Sequence, residues 1–248
     1  MGQRILILGG TTEARELAGN LAALGCDVTV SLAGRTAAIR DQGVPIRVGG
    51  FGGPEGLADY LQSQRIDVLI DATHPYAAVM SRNAADAARA SGVPLLALHR
   101  APWEPCPGDR WQEVGDVDQA VAALGDAPRR VFLALGRKEV DAFSAAPQHA
   151  YLVRSVDPVD PPLAVPRAVY VVARGPFDEP DERRLLEQHG IEQMVCRNSG
   201  GPAAYAKLAA ARALGIPVLL IRRPPLPDVP AVASADEVVA WLAQRPVG

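Results

Sequence analysis

Cysteine is scarce and scattered. Cys26, Cys106 and Cys196 are odd in number and contain no Cys-x-x-Cys pair, which excludes a zinc ribbon, an iron–sulfur cluster or a disulfide framework read from local spacing. A reduced, cytoplasmic setting is the expectation. The four histidines, His74, His99, His149 and His189, lack metal-ligand spacing, so no bound metal is expected. No apolar run approaches the ~18 residues that span a bilayer. Met1-Gly2-Gln3-Arg4 leads straight into a strand-like segment, without the apolar region and small-residue cleavage site of a signal peptide. A soluble, unprocessed chain is the expectation. An excess of one charge is also missing: 25 Lys and Arg oppose 28 Asp and Glu, a net charge of -3, which points away from nucleic acid and anionic membranes as partners. The 23 glycines and 22 prolines follow no period, so collagen-like and low-complexity readings fail and these residues serve turns.

What is present is the composition of a packed protein, 48% hydrophobic and 21% charged. A length of 248 residues, set against ~150 per domain, favours two small domains. Short runs of Val, Ile and Leu alternate with Ala-rich stretches of helical period, the signature of βα repetition. The expected fold is α/β, two Rossmann-like domains with mainly parallel sheets and a cleft between them. Strands are expected near 4–8, 27–31, 45–48, 67–71 and 94–98, then near 130–135, 151–154, 168–173, 193–196 and 217–221. Helices are expected near 13–24, 54–64, 76–91 and 116–124, then near 138–143, 179–189, 203–214 and 234–244. Gly92-Val93-Pro94-Leu95-Leu96 matches Gly215-Ile216-Pro217-Val218-Leu219, and each follows an Ala-rich helix, as one unit used twice would. Asp116 with Gln119 and Ser234 with Glu237 have capping-box spacing and open similar closing helices. The boundary is placed at Gly125-Asp126-Ala127-Pro128, giving domains 1–126 and 127–248, with Ala101 to Gly108 as a loop inside the first.

Ile5-Leu6-Ile7-Leu8-Gly9-Gly10-Thr11-Thr12 is a buried strand, a glycine turn and a helix start. Glycine lets backbone approach a pyrophosphate and the helix N-terminus offers N–H groups, with the Thr11 and Thr12 hydroxyls as further donors. A plain βα turn would need the same glycines, and the pattern departs from Gly-x-Gly-x-x-Gly. After the second strand, Ser31 and Arg35 stand where NAD sites carry a carboxylate. That suits a 2′-phosphate, so NADPH is the expected cofactor. Asp71-Ala72-Thr73-His74-Pro75-Tyr76 follows another strand. Pro75 keeps His74 out of the helical region and aims it toward the crevice, where His74 can donate a proton and Tyr76 can stack or hydrogen-bond. A simple helix cap at Thr73 explains the run equally well. Gly50 and Phe51, inside Gly49-Gly50-Phe51-Gly52-Gly53, are expected to admit the nicotinamide end closely, a flexible turn being the alternative.

The second half differs. Its strands are followed by Gly136-Arg137-Lys138, Arg154, Arg174, Arg197-Asn198-Ser199-Gly200 and Arg222-Arg223. In a parallel sheet these guanidiniums gather at one edge, where they would repel one another unless a polyanion filled the space. Tyr205 and Lys207 are expected to face the same crevice. The first half would hold the nucleotide and the second the anionic substrate, with hydride transfer in the cleft.

Leu8-Gly9-Gly10-Thr11-Thr12-Glu13-Ala14-Arg15, Asp71-Ala72-Thr73-His74-Pro75-Tyr76-Ala77, Asn198-Ser199-Gly200-Gly201, Lys207-Leu208 and Gly215-Ile216-Pro217 together resemble the precorrin-6A reductase (cobalt-precorrin-6A reductase) family of cobalamin biosynthesis. The resemblance spans nearly the whole chain. It implies NADPH-dependent reduction of one double bond of a tetrapyrrole-derived macrocycle, whose acetate and propionate groups would be the anions for the arginine row. His74, Tyr76 and Lys138 are the candidate proton donors, solvent being an alternative. Whether the macrocycle carries cobalt stays open, as does oligomeric state. Two rivals are a reductase of another polyanionic small molecule and a non-catalytic NADPH-sensing module.

Overall fold

The computed structural model describes residues 2–34 and 41–245. In chain order its elements are β1 (Arg4–Leu8), α1 (Thr12–Ala23), β2 (Asp27–Leu32), β3 (Ile46–Val48), α2 (Pro54–Ser63), β4 (Val68–Asp71), α3 (Ala78–Ser91) and β5 (Leu95–Leu98). There follow β6 (Trp111–Val114), α4 (Val117–Leu124), β7 (Arg130–Ala134), α5 (Arg137–Val140), a 3-10 turn (Asp141–Ala145), β8 (Ala150–Ser155) and β9 (Ala168–Val172). The chain ends with α6 (Glu179–Gln188), β10 (Gln193–Arg197), α7 (Ala206–Ala213), β11 (Val218–Ile221), β12 (Ala231–Val232) and α8 (Ala235–Ala243). No helix among the described residues is long and apolar enough to cross a membrane.

Two six-stranded sheets form, ordered β12-β5-β4-β1-β2-β3 and β6-β11-β10-β7-β8-β9, and their strand pairings are parallel. Setting β1 against β7 makes the two orders identical, with β5 and β11, the strands of the repeated Gly-x-Pro segments, in equivalent places. From β1 and from β7 the later strands are laid down in opposite directions, which makes the carboxyl ends of these two strands topological switch points, where such sheets bind ligands.

β1 shows how sequence produces the layers. Ile5 to Leu8 are all buried. Ile5 and Ile7 pack on one face with Leu17 of α1 and Val238 and Leu242 of α8, while Leu6 and Leu8 pack on the other with Leu57, Leu61 and Ala84 of α2 and α3. A strand covered on both faces must be apolar throughout rather than alternating. Each such Leu or Ile contributes about 1.5–3 kcal/mol by its burial. In the second sheet, Phe132, Leu152, Met194, Cys196, Val218 and Leu220 pack with Leu186 of α6 and Leu208 of α7.

The expected boundary at 126 is corrected. The compact units are Met1–Ala101 with Pro224–Gly248, and Pro102–Arg223. The cause is an exchange of last strands: β6 pairs with β11 in the second sheet, and β12 with β5 in the first. Helices follow their strands, so α8 packs on α1 rather than closing the second half, and α4 lies against β11. The loop 101–108, expected inside the first half, belongs almost wholly to the second unit. Both exchanged strands are missing from the sequence-based expectation because β6 is largely solvent-facing and β12 has only two residues. Both helix caps form as expected: Asp116 accepts from the Gln119 amide at 2.8 Å and Ser234 from the Glu237 amide at 3.3 Å. The helix expected at 138–143 is instead the four-residue α5 followed by the 3-10 turn.

Candidate functional site

In the first unit the turn after β1 combines a tight approach with an open helix end. The Gly9 amide donates to the Ser31 carbonyl at 2.9 Å, and a Cβ on Gly9 would stand 2.7 Å from Val30 Cγ1. Gly10 has φ +116° with open space on its Cβ side, a conformation that L side chains rarely adopt. Thr11 caps α1, accepting from the Ala14 amide at 3.1 Å, and its hydroxyl proton goes to the Ala72 carbonyl at 2.9 Å. Thr11 therefore ties the β1 turn to the end of β4, and its hydroxyl is not the spare donor expected from sequence. Thr12 is exposed in the first helical turn, where the leading N–H groups have no intrahelical acceptor. Glu13 is paired with Arg100 at 2.7 Å, so its charge is balanced beside that helix end. Thr11, Glu13, Thr73, Pro75, Leu98 and Arg100 line a depression there. This turn fits a diphosphate: glycine backbone, a positive-φ step and unpaired N–H groups converge on one spot.

Beside it, Asp71 ends β4 and is buried. Its Oδ1 accepts from both the Thr73 amide, at 3.1 Å, and the Thr73 hydroxyl, at 2.7 Å. His99 Nε2 lies 3.8 Å from Oδ2. Burial alone would push the Asp71 carboxyl up, but polar contacts from His99, Ser81 and Thr73 outweigh it and hold the group below its ordinary value. Asp71 thus shapes the Thr73-His74-Pro75 turn, and Thr73 turns its hydroxyl inward. His74 Nδ1 accepts from the Tyr76 amide at 3.3 Å, and the two rings lie 5.6 Å apart. A neutral His74 held this way carries its proton on Nε2.

At the opposite side of β1, Ser31 and Arg47 are register partners on β2 and β3. Arg47 donates to the carbonyls of Gly49, at 2.6 Å, and Gly50, at 2.9 Å, and lies 3.7 Å over the Phe51 ring. Gly50 and Phe51 follow β3, on the side of the switch point where this fold holds an adenosine ribose. Arg35 lies outside the described residues.

In the second unit Arg137, Arg174 and Arg222 follow parallel strands, Arg197 ends β10, and Arg154 is the last residue but one of β8. The expected self-repulsion does not hold. Arg154 is buried, paired with Glu182, and sandwiched between Phe177 at 3.9 Å and Phe132 at 5.0 Å. Arg197 Nε donates to Glu139 Oε1 at 2.9 Å. Two of the five charges are cancelled internally. Arg137, Lys138 and Arg222 are exposed, and Arg174 is half-buried. The Asn198 amide clamps Trp103, accepting from its N–H at 2.7 Å and donating to its carbonyl at 2.9 Å. Ser199 and buried Gly200 continue this turn, and Arg223 donates to the Asn198 and Ser199 carbonyls. Lys207 is buried, donating to the Ala204 carbonyl at 2.6 Å and lying 4.7 Å over the Trp103 ring. Tyr205 accepts from Arg212 at 3.0 Å, and burial pushes its hydroxyl up.

Sequence reasoning passed over Arg47, the Asp71–His99 contact, Glu139 and Glu182. Two had readable signals. Arg47 interrupts the apolar segment Ile46-Arg47-Val48, and Glu139 stands three places after Gly136, a capping distance. Glu182 had none, because its partner is 28 residues away. No group of three or more potential metal ligands converges among the described residues.

Residues 4–243 match the family model described as Precorrin-6x reductase CbiJ/CobK. The precorrin-6A reductase of Sinorhizobium sp is 56% identical over 245 residues, covering 97% of this chain and 94% of that protein. The precorrin-6A reductase of Rhodobacter capsulatus is 52% identical over 242 residues, covering 98% and 96%. A solved structure titled CobK precorrin-6A reductase superposes with a TM-score of 0.94 at 51% identity, covering 98% of this chain and 96% of that one.

Proposed function

The chain belongs to the precorrin-6x reductase family, and on that premise we propose that it is a precorrin-6A reductase. It uses NADPH to reduce one double bond of a tetrapyrrole-derived macrocycle, yielding precorrin-6B in cobalamin biosynthesis, an oxidoreduction at a CH–CH group. The observation that supports this beyond family membership is the β1–α1 turn, where Gly10 at φ +116° and the capped N-terminus of α1 offer a diphosphate cradle.

Each unit has its own task. In the first, the Gly9-Gly10 turn and the leading N–H groups of α1 hold the diphosphate, and Ser31 borders the adenosine ribose. A bound reduced nicotinamide supplies the hydride. His74, presented by the Asp71-braced turn, gives the accompanying proton from its imidazolium form and is left as the neutral ring, with Tyr76 fixing its position. In the second unit Arg137, Lys138, Arg174 and Arg222 meet the acetate and propionate groups of the macrocycle. Arg154 and Arg197 act beneath them as braces. Placing the reacting carbon at near-attack distance accounts for much of the rate. Three unpaired cysteines suit a cytoplasmic enzyme.

The test is direct. Adding precorrin-6A to enzyme and NADPH should consume the NADPH absorbance, and the product should be heavier by two hydrogens. NADPH binding without macrocycle-dependent oxidation would overturn the assignment.

A further inference from the structure

We propose that Arg47, in the middle of the short strand β3, selects a nucleotide phosphorylated on its adenosine ribose. The inference rests on the nicotinamide-nucleotide reading and deepens it by naming the group that reads the phosphate.

Three observations carry it. The first is the way this cation is held. Arg47 Nη1 and Nη2 donate to the Gly49 and Gly50 carbonyls, Nη1 lies 3.5 Å from Ser31 Oγ, and the guanidinium stacks on Phe51. All of these partners are neutral. The second is contrast. Arg100, Arg154, Arg197 and Arg212 are paired with Glu13, Glu182, Glu139 and Asp109, whereas among the described residues no carboxylate pairs with Arg47. Its full charge is thus fixed in place but not cancelled. Three contacts use at most three of the five guanidinium N–H groups, so at least two remain for a phosphate, the anion that this planar fork matches best.

The third observation is position. Arg47 is in register with Ser31, and the Ser31 carbonyl receives the Gly9 amide of the diphosphate turn. In this fold, a carboxylate ending the second strand accepts the ribose hydroxyls of an unphosphorylated nucleotide. Here that strand reads Asp27-Val28-Thr29-Val30-Ser31-Leu32, with a hydroxyl at the end and its only carboxylate at the start. A dianionic phosphate is therefore met by a donor and a cation, without a repelling charge on that strand end.

Calorimetric titration of the full chain with adenosine 2′,5′-bisphosphate and with adenosine 5′-monophosphate tests the assignment. Wild type should bind the bisphosphate at least about tenfold more tightly. Arg47→Gln should bring the two affinities to within about twofold while leaving the monophosphate affinity unchanged. Arg47→Lys keeps the charge but loses the fork, and should retain only part of the preference. Should Arg47→Gln fail to fold, judged by its melting curve, the lysine variant decides alone: an undiminished preference overturns the proposal. A wild-type preference that survives intact in folded Arg47→Gln also overturns it, while the NADPH reading stands. No preference in wild type itself would instead sink the NADPH reading, and this inference with it.

Discussion

The two units share one sheet order and differ at its switch point. In the first, Gly9-Gly10-Thr11 opens a twelve-residue helix, and among the described residues, chain neighbours aside, no atom stands within 4 Å of where a Gly10 Cβ would be. In the second, the equivalent turn is Gly136-Arg137-Lys138, its helix has four residues, and the Glu139 carboxylate folds back to take the Gly136 amide at 3.1 Å while pairing with Arg197. The same topology thus produces an anion cradle that is open in one unit and filled by the chain's own carboxylate in the other. An anion site is a property of the turn, and it closes where a carboxylate folds back onto the turn's own amide, as Glu139 does, whereas Glu13, three positions after Gly10, pairs with Arg100 instead.

The largest effect that sharpens this contrast belongs to the second unit. Glu182→Ala leaves Arg154 buried without its counter-charge, which should cost about 3–5 kcal/mol in denaturant unfolding. Removing both charges with Arg154→Met and Glu182→Met should recover most of that loss. A Glu182→Ala protein as stable as wild type would show that Arg154 is not the internal brace described here.

The next effect is catalytic and belongs to the first unit. His74→Asn should lower kcat by about a hundredfold, the low end of what a positioned acid provides, whereas Lys138→Ala should change kcat far less and act on KM. The reverse pattern in steady-state kinetics would move the proton donor to the second unit.

Smaller still is the effect at Asp71. Asp71→Asn should cost about 1–3 kcal/mol at neutral pH, the cost of disturbing a buried hydrogen-bonded group. Because folding lowers this carboxyl's pKa, its stabilisation is complete above the unfolded value of ~3.9 and is lost as pH falls through the lower folded value. Melting curves of wild type and variant should therefore converge on acidification below that range. A gap that widens instead would contradict the sign.

Much of the fold was legible because βα repetition writes itself twice over, in apolar strands and in glycine turns. β1 and β5 are visible as runs buried on both faces. The exchange of β6 and β12 was not legible, since Trp111-Gln112-Glu113-Val114 and Ala231-Val232 lack any apolar period, and nothing local to them names the sheet they join. At the site, the glycine turn and the His74 segment could be read because backbone conformation restricts residue type there. Arg154, Arg197 and Asn198 were visible as residues, but the groups that hold them were not. Their partners, Glu182, Glu139 and Trp103, are 28, 58 and 95 positions away in sequence. Charge pairing across a fold leaves no mark on either partner's neighbours.

The central claim, that the open cradle of the first unit and not its filled counterpart holds the nucleotide, is tested most directly by NADPH dissociation constants for Gly10→Ala and Gly136→Ala. Gly10 has φ +116°, while Gly136 has φ -74°, where alanine is at ease, and its Cβ would meet Glu139 Oε2 at 3.3 Å. The account predicts a rise of about tenfold or more for Gly10→Ala and a change within about twofold for Gly136→Ala. Equal losses in both, or a loss confined to Gly136→Ala, would contradict it.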